Sequence, residues 1–83
     1  MPRWVRRADL SVLTEREREI LIALGEFLSN MDIASRCGIT ERTVKKHVAS
    51  IFTKLELSSR AEAAVMATCR WTELGGAQCP PGH

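Results

Sequence analysis

The chain has 83 residues, a formal net charge of +2, a hydrophobic content of 45% and an aromatic content of 5%. This length allows one small domain, and a domain of about 60 residues buries only roughly 60% of the surface of its unfolded chain. No apolar run approaches the roughly 20 residues needed to cross a bilayer, and no apolar stretch follows the charged N-terminus as it would in a signal peptide. We therefore expect no membrane association, and the expected compartment is the cytoplasm.

Three segments follow one another along the chain. Residues 1–12 contain three arginines and no periodicity, which predicts a flexible arm or linker remnant. An ordered domain is predicted over residues 13–74. A disordered tail is predicted over residues 75–83, which contain adjacent glycines and prolines.

The first predicted helix begins at Thr14 and ends near Gly25 to Phe27. Thr14 followed by Glu17 is a capping box, in which each side chain accepts a hydrogen bond from the backbone N–H of the other residue. Residues 15–19 alternate glutamate and arginine and are expected to be solvated or paired with one another. The predicted buried stripe consists of Ile20, Leu21, Leu24, Phe27 and Leu28.

The second predicted helix runs from Ser29 to Cys37. Ser29 and Asp32 resemble the start signal of the first helix, and Gly38 supplies a left-handed stop. Ile39 is expected to pack from the turn into the core, and Thr40 is expected to cap the next helix. The residues of this helix that are expected to face inward are Ile33, Ala34 and Cys37.

The third predicted helix spans residues 41–55 and has one apolar and one basic side. Its basic side would suit an anionic groove, and two helices joined by a Gly-Ile-Thr turn indicate a helix-turn-helix. Residues 36–60 contain six cations and two anions, so the positive charge is concentrated here. The apolar side consists of Val44, Val48, Ile51, Phe52 and Leu55. The opposite side consists of Arg42, Lys45, Lys46, Ala49 and Thr53.

The fourth predicted helix covers residues 59–70, with Ser59 and Glu62 as a second capping box. It is apolar around more of its circumference than packing on one side requires, which favours a second covering surface. Ordinary core packing is the alternative. Trp71 could extend that surface or pack on the first helix, and Trp4 could be only a linker residue.

No catalytic, metal-binding or cofactor-binding constellation is visible in the sequence. Cys37, Cys69 and Cys79 are widely spaced and unaccompanied by paired histidines, so neither a zinc site nor a disulfide framework is predicted. Cys37 is interpreted as a core residue. His47 is expected to pack or to touch a phosphate rather than to sense pH. We expect no enzyme activity, no cofactor and no small-molecule ligand.

The strings LTEREREIL, LSNMDIA, GIT, TVKKHV and KLELSSRAEA together resemble the LuxR/NarL/GerE-type helix-turn-helix domain of bacterial transcription regulators, over residues 13 to about 67. The resemblance implies an all-α four-helix bundle. In such a bundle the third helix enters the major groove of double-stranded DNA and the fourth forms a two-fold dimer contact. Two positions depart from the family pattern: Glu56 replaces a frequent glycine, and Met31 replaces a frequent lysine.

The resemblance also implies roles for individual residues. Base contacts are expected from Lys45, Lys46 and Ala49, although the lysines taken alone could be solvated surface residues. Together with the cation pattern, it predicts phosphate contacts from Thr43, Lys54, Ser29, Asn30, Arg42 and Arg60. The predicted dimer interface consists of Ala61, Ala64, Val65, Met66 and Cys69.

The predicted function is therefore sequence-specific DNA binding, by a transcription regulator or by the effector domain of a response regulator. A homodimer on DNA is expected, and RNA polymerase is a further candidate partner. The alternative is a module like region four of a sigma factor that acts mainly through RNA polymerase or an anti-factor, although the closing SSRAEAAVMA block disfavours it. The sequence leaves open the operator and its half-site spacing, activation or repression, the switching signal, the organism, and whether a longer protein contains this chain.

Overall fold

A computed structural model describes residues 2–75, and all regular secondary structure in this part of the chain is helical. The prediction of an all-α fold is confirmed, but a short extra helix precedes the four that were predicted. Single 3₁₀ turns lie at Leu10–Val12 and Thr72–Leu74. Apart from Gly75, the predicted tail, with Cys79, lies outside the described residues. The α-helices are α1 Arg3–Arg7, α2 Glu15–Gly25, α3 Asn30–Cys37, α4 Glu41–Leu55 and α5 Arg60–Cys69.

Each helix from α2 to α5 begins after a serine or threonine whose hydroxyl accepts a hydrogen bond from a backbone N–H of the first turn. At α2 the Thr14 hydroxyl accepts from the Glu17 N–H at 3.1 Å, and Glu17 Oε1 accepts from the Thr14 N–H at 2.9 Å. This capping box is confirmed. The predicted box at α5 is corrected: Ser59 caps the Glu62 N–H at 3.2 Å, but Glu62 Oε1 accepts from the N–H of Ser58 at 2.7 Å.

The chain leaves α2, α3 and α4 through left-handed residues, namely Phe27 (φ 62°), Gly38 (φ 68°) and Glu56 (φ 55°). The predicted stop at Gly38 is confirmed. A residue with a β-carbon holds this conformation at a cost of about 1–2 kcal/mol, so Phe27 and Glu56 are strained. The exit at Glu56 keeps the left-handed conformation that glycine favours, despite the departure from the family pattern. Assigning Phe27 to the buried stripe is wrong, because after this turn its side chain is 82% exposed.

One apolar core holds the helices together, with α2 packed on α4 and α5 and with α3 packed on α4. Gly25 allows the close approach of α2 and α5, because a β-carbon there would lie 2.7 Å from the Ala67 β-carbon. No helix within residues 2–75 has the length and apolar character needed to span a bilayer. The largest fully buried side chains are Ile20, Leu21, Ile33, Ile51, Met66, Val5 and Val44.

The prediction of a flexible arm over residues 1–12 is corrected by α1, which packs against α5. Val5 is fully buried, and the Arg70 guanidinium donates to the carbonyl oxygens of Val5 at 2.8 Å and Ala8 at 2.7 Å. A five-residue helix has too few turns to produce a periodic pattern. Arg70, which holds this helix in place, lies 65 positions after Val5 in the sequence. Part of the apolar circumference of α5 is therefore covered by the N-terminus of its own chain.

Candidate nucleic-acid interface

The exposed side of α4 carries the residues predicted to contact bases. Lys45, Lys46 and Ala49 are exposed, whereas Val44 and Ile51 on the opposite side are fully buried. Neither lysine forms an ion pair within the part of the chain that the structure describes. At 1.5 Å per residue this 15-residue helix is about 22 Å long, and a major groove about 12 Å wide admits such a rod. α4 thus presents two cations and one small side chain on its exposed side, while its opposite side is buried in the core.

The N-terminal turns of α3 and α4 are suited to anions. The Ser29 hydroxyl accepts from the Asp32 N–H at 3.1 Å, and the Thr43 hydroxyl lies 3.0 Å from the Thr40 hydroxyl in the first turn of α4. Helix N-termini leave backbone N–H groups unpaired and carry a partial positive charge that favours negatively charged oxygens, and Asp32 and Glu41 in these first turns partly offset that charge. Arg42 is exposed in the same turn of α4 as Thr43 and adds a full charge there.

Arg60 joins the start of α5 to the start of α3. Its guanidinium donates from Nη1 to Asn30 Oδ1 at 2.9 Å and from Nη2 to the Leu28 carbonyl oxygen at 2.8 Å. The structure thereby brings together Ser29, Asn30 and Arg60, three predicted phosphate contacts from distant parts of the sequence. A guanidinium has five N–H donors, so these two bonds leave others for a phosphate.

Lys54 is an exposed residue whose ammonium is turned toward Glu17 on α2. Its ammonium donates to Glu17 Oε1 at 2.7 Å, and the Ser50 hydroxyl donates to Glu17 Oε2 at 2.6 Å. Glu17 is 3% exposed, which makes it the buried charged residue of the described chain. The role of Lys54 as a phosphate contact stays a prediction, and the pairing of its charge with a buried carboxylate disfavours that role.

The hydrogen bonds that Glu17 accepts lower the pKa of its carboxyl group. Burial alone would raise the pKa of its carboxyl group, but the hydrogen bonds from Lys54, Ser50 and the Thr14 N–H outweigh burial and lower the pKa to about 2. The sequence predicts Glu17 as a cap and as a member of a solvated or self-paired turn, and the second expectation is wrong for Glu17, which is buried and paired with Lys54. A signal was present, because Glu17 precedes Ile20 and Leu21 by three and four residues and so shares their buried face.

The predicted dimer residues divide into two groups in the structure. Ala61, Val65 and Cys69 are exposed at helical spacing on one side of α5. Ala64 is 4% exposed and Met66 is fully buried, so both belong to the core of the monomer. Their assignment to a dimer interface is corrected, because α2 and α1 pack against α5 and cover its other sides.

The other histidine, cysteine and tryptophan side chains that the structure describes are dispersed over the domain. His47 and Cys37 are half-buried, and Cys37 packs against the core as predicted. Trp4 is 42% exposed beside Leu55 and Glu62, and the indole N–H of the half-buried Trp71 has no hydrogen-bond acceptor within residues 2–75. In the same range no group of three or more His, Cys, Asp or Glu side chains is arranged to hold a metal ion.

Comparison with known proteins agrees with this geometry. A model of the family described as bacterial regulatory proteins, luxR family, matches residues 11–67. The response regulator proteins VraR of Staphylococcus aureus and Staphylococcus epidermidis are each 47% identical to this chain over 66 residues. These alignments include 78% of this chain but 32% of each relative, so the chain spans about a third of their length. No solved structure matches the chain significantly.

Proposed function

Because this chain belongs to the luxR family of bacterial regulatory proteins, it is a DNA-binding domain of a transcription regulator, and we propose that α4 enters the major groove. One observation carries this proposal: Lys45, Lys46 and Ala49 are exposed on the helix side opposite the buried Val44 and Ile51. A lysine can donate to O6 and N7 of guanine, and an alanine methyl can touch a thymine methyl or allow close approach. These three residues would therefore determine which DNA sequence the domain prefers.

Phosphate contacts would hold α4 in register on the duplex. The free N–H groups of the first turns of α3 and α4, with Ser29, Asn30 and Thr43, would bind phosphate oxygens along the groove edges. Arg42 and Arg60 would supply charge, and each cation that neutralises a phosphate adds about −0.9 to the slope of log K against log salt. Lys54 is left out of this set because its ammonium is paired with Glu17.

The same proposal includes a homodimer on DNA, formed through the exposed side of α5. Ala61, Val65 and Cys69 form an uncharged stripe there, which suits contact with a second copy of this chain. Two α4 helices related by a two-fold axis would read two half-sites, and the spacing of the half-sites would report the dimer geometry.

The relatives suggest the wider context. Each is named a response regulator, and we infer that this chain corresponds to their effector part. The cytoplasm, where bacterial DNA is found, is then its expected compartment, and RNA polymerase is a further partner that a DNA-bound regulator could contact. The family assignment disfavours the sigma-factor alternative.

Selection of preferred duplexes from random sequences, followed by fluorescence anisotropy titration, tests the proposal. Lys46→Ala should weaken binding to the preferred site by about 1–3 kcal/mol and relax the preference at one base pair. Arg18→Ala is the matched control, since it removes one cation from α2 beside Asp9 and Glu73, outside the proposed interface. Equal weakening by Lys46→Ala on every sequence would make Lys46 a phosphate contact, and salt-insensitive or absent binding by the wild-type chain would refute the proposal.

A further inference from the structure

We propose that Glu17 is a positioning residue for DNA recognition: through Ser50 and Lys54 it sets the rotation of α4 about its own axis, and it neutralises the Lys54 charge. This inference rests on the proposed entry of α4 into the major groove. Glu17 itself lies on the buried side of α2 and would not touch DNA.

The geometry ties two helices together at one carboxylate. Oε2 accepts from the Ser50 hydroxyl at 2.6 Å, and Oε1 accepts both from the Lys54 ammonium at 2.7 Å and from the Thr14 N–H at 2.9 Å. Ser50 and Lys54 are four residues apart, so they lie on one face of α4. Thr14 is the N-cap of α2, so the carboxylate is anchored to the start of that helix. Two points on α4 are thus fixed relative to α2.

Apolar packing alone would define this rotation less sharply. Dispersion contacts change gradually as one helix turns against another, whereas a hydrogen bond weakens steeply outside a narrow range of distance and angle. A rotation of α4 by about 20° would move side-chain atoms about 6 Å from its axis by roughly 2 Å. Such a rotation would break both bonds to Glu17 and would shift Lys45, Lys46 and Ala49 out of register with the base edges.

Pairing with Glu17 also affects the charge that DNA would meet. The carboxylate and the Lys54 ammonium together carry no net charge, and the Lys54 side chain is 33% exposed. A paired cation releases few counterions from DNA, so Lys54 would add little affinity that is independent of sequence. Discrimination would depend on the proposed base contacts of α4, whose two cations, Lys45 and Lys46, are unpaired in the described chain.

The test compares binding of the 83-residue chain to its selected duplex and to a scrambled duplex of equal length. In Glu17→Gln the ratio of the two affinities should fall by about tenfold or more, which is the scale of one lost base contact. Affinity for the scrambled duplex should be unchanged or higher. Partial unfolding would lower both affinities equally and leave the ratio intact, so the ratio separates positioning from stability. Glu19→Gln is the matched control, because it removes an exposed carboxylate from the same helix and should keep the wild-type ratio.

Two variants of α4 test the same link if Glu17→Gln folds poorly. Ser50→Ala and Lys54→Met should each lower the ratio, and Lys54→Met should leave the salt slope unchanged because its charge is already paired. A wild-type ratio in all three variants would overturn the positioning role. A salt slope that is shallower by about 0.9 in Lys54→Met would place Lys54 on a phosphate and overturn the charge argument. If the wild-type chain bound no duplex, the proposed function would fail before any variant is compared.

Discussion

The charge of Glu17 should make the stability of this domain depend on pH. Its carboxylate accepts three hydrogen bonds in the folded state, and its pKa falls from an ordinary value of 4.5 to about 2. Because the folded pKa is lowered, the stabilisation is fully present above the unfolded pKa and is lost as the pH falls from about 5 through about 2. At 1.36 kcal/mol per pKa unit, the depression corresponds to about 3 kcal/mol of the free energy of unfolding. The total free energy of unfolding of a domain of this size is roughly 4–11 kcal/mol, so this loss would be a large part of its stability.

The assay is urea or thermal unfolding followed by far-ultraviolet circular dichroism across the acid range, for wild type and for Glu17→Gln. Other carboxylates titrate equally in both proteins, so the informative quantity is the difference between their free energies of unfolding. This difference should shrink by about 3 kcal/mol between about pH 6 and about pH 2, equivalent to a melting-temperature change of about 10–20 °C. A difference that stays constant across this range would show that the buried carboxylate is not selectively stabilised.

Further predictions concern the left-handed turns and the exposed side of α5. Glu56→Gly should raise the free energy of unfolding by about 0.5–1 kcal/mol, since relief of strain at φ 55° exceeds the added entropy of the unfolded chain. Gly38→Ala should lower the free energy of unfolding by about 1 kcal/mol purely through the backbone, as no atom beyond the adjacent residues lies within 4 Å of the added β-carbon. Urea denaturation measures both variants, and a change of the opposite sign in either would contradict its prediction. Val65→Asp should change stability by no more than about 0.5 kcal/mol but weaken binding to a palindromic duplex more than to a half-site, and equal weakening would remove α5 from the interface. Met66→Asp should unfold the monomer, seen as loss of helical circular dichroism, because it buries an unpaired charge.

Several site assignments required tertiary information. Lys54 and Glu17 are 37 positions apart, and each looks like a surface residue in its own segment of the sequence. The sequence pattern of α5 indicates an excess of apolar surface but not which neighbour covers it. In the structure, α1 and α2 pack against α5, Met66 and Ala64 are buried, and Ala61 and Val65 stay exposed.

Local signals were enough to predict helices α2 to α5 and the exposed side of α4 that we propose to read bases. Capping hydroxyls, the left-handed stop at Gly38 and the three-to-four-residue spacing of apolar side chains act over one or two turns, so the sequence alone predicts the helix starts and the outward direction of Lys45 and Lys46. The docking of α1 and the Glu17 link depend on contacts between residues far apart in the chain. Such contacts form only when the helices pack, and for that reason only the three-dimensional arrangement could reveal that Lys54, a predicted DNA contact, is paired with the buried carboxylate of Glu17.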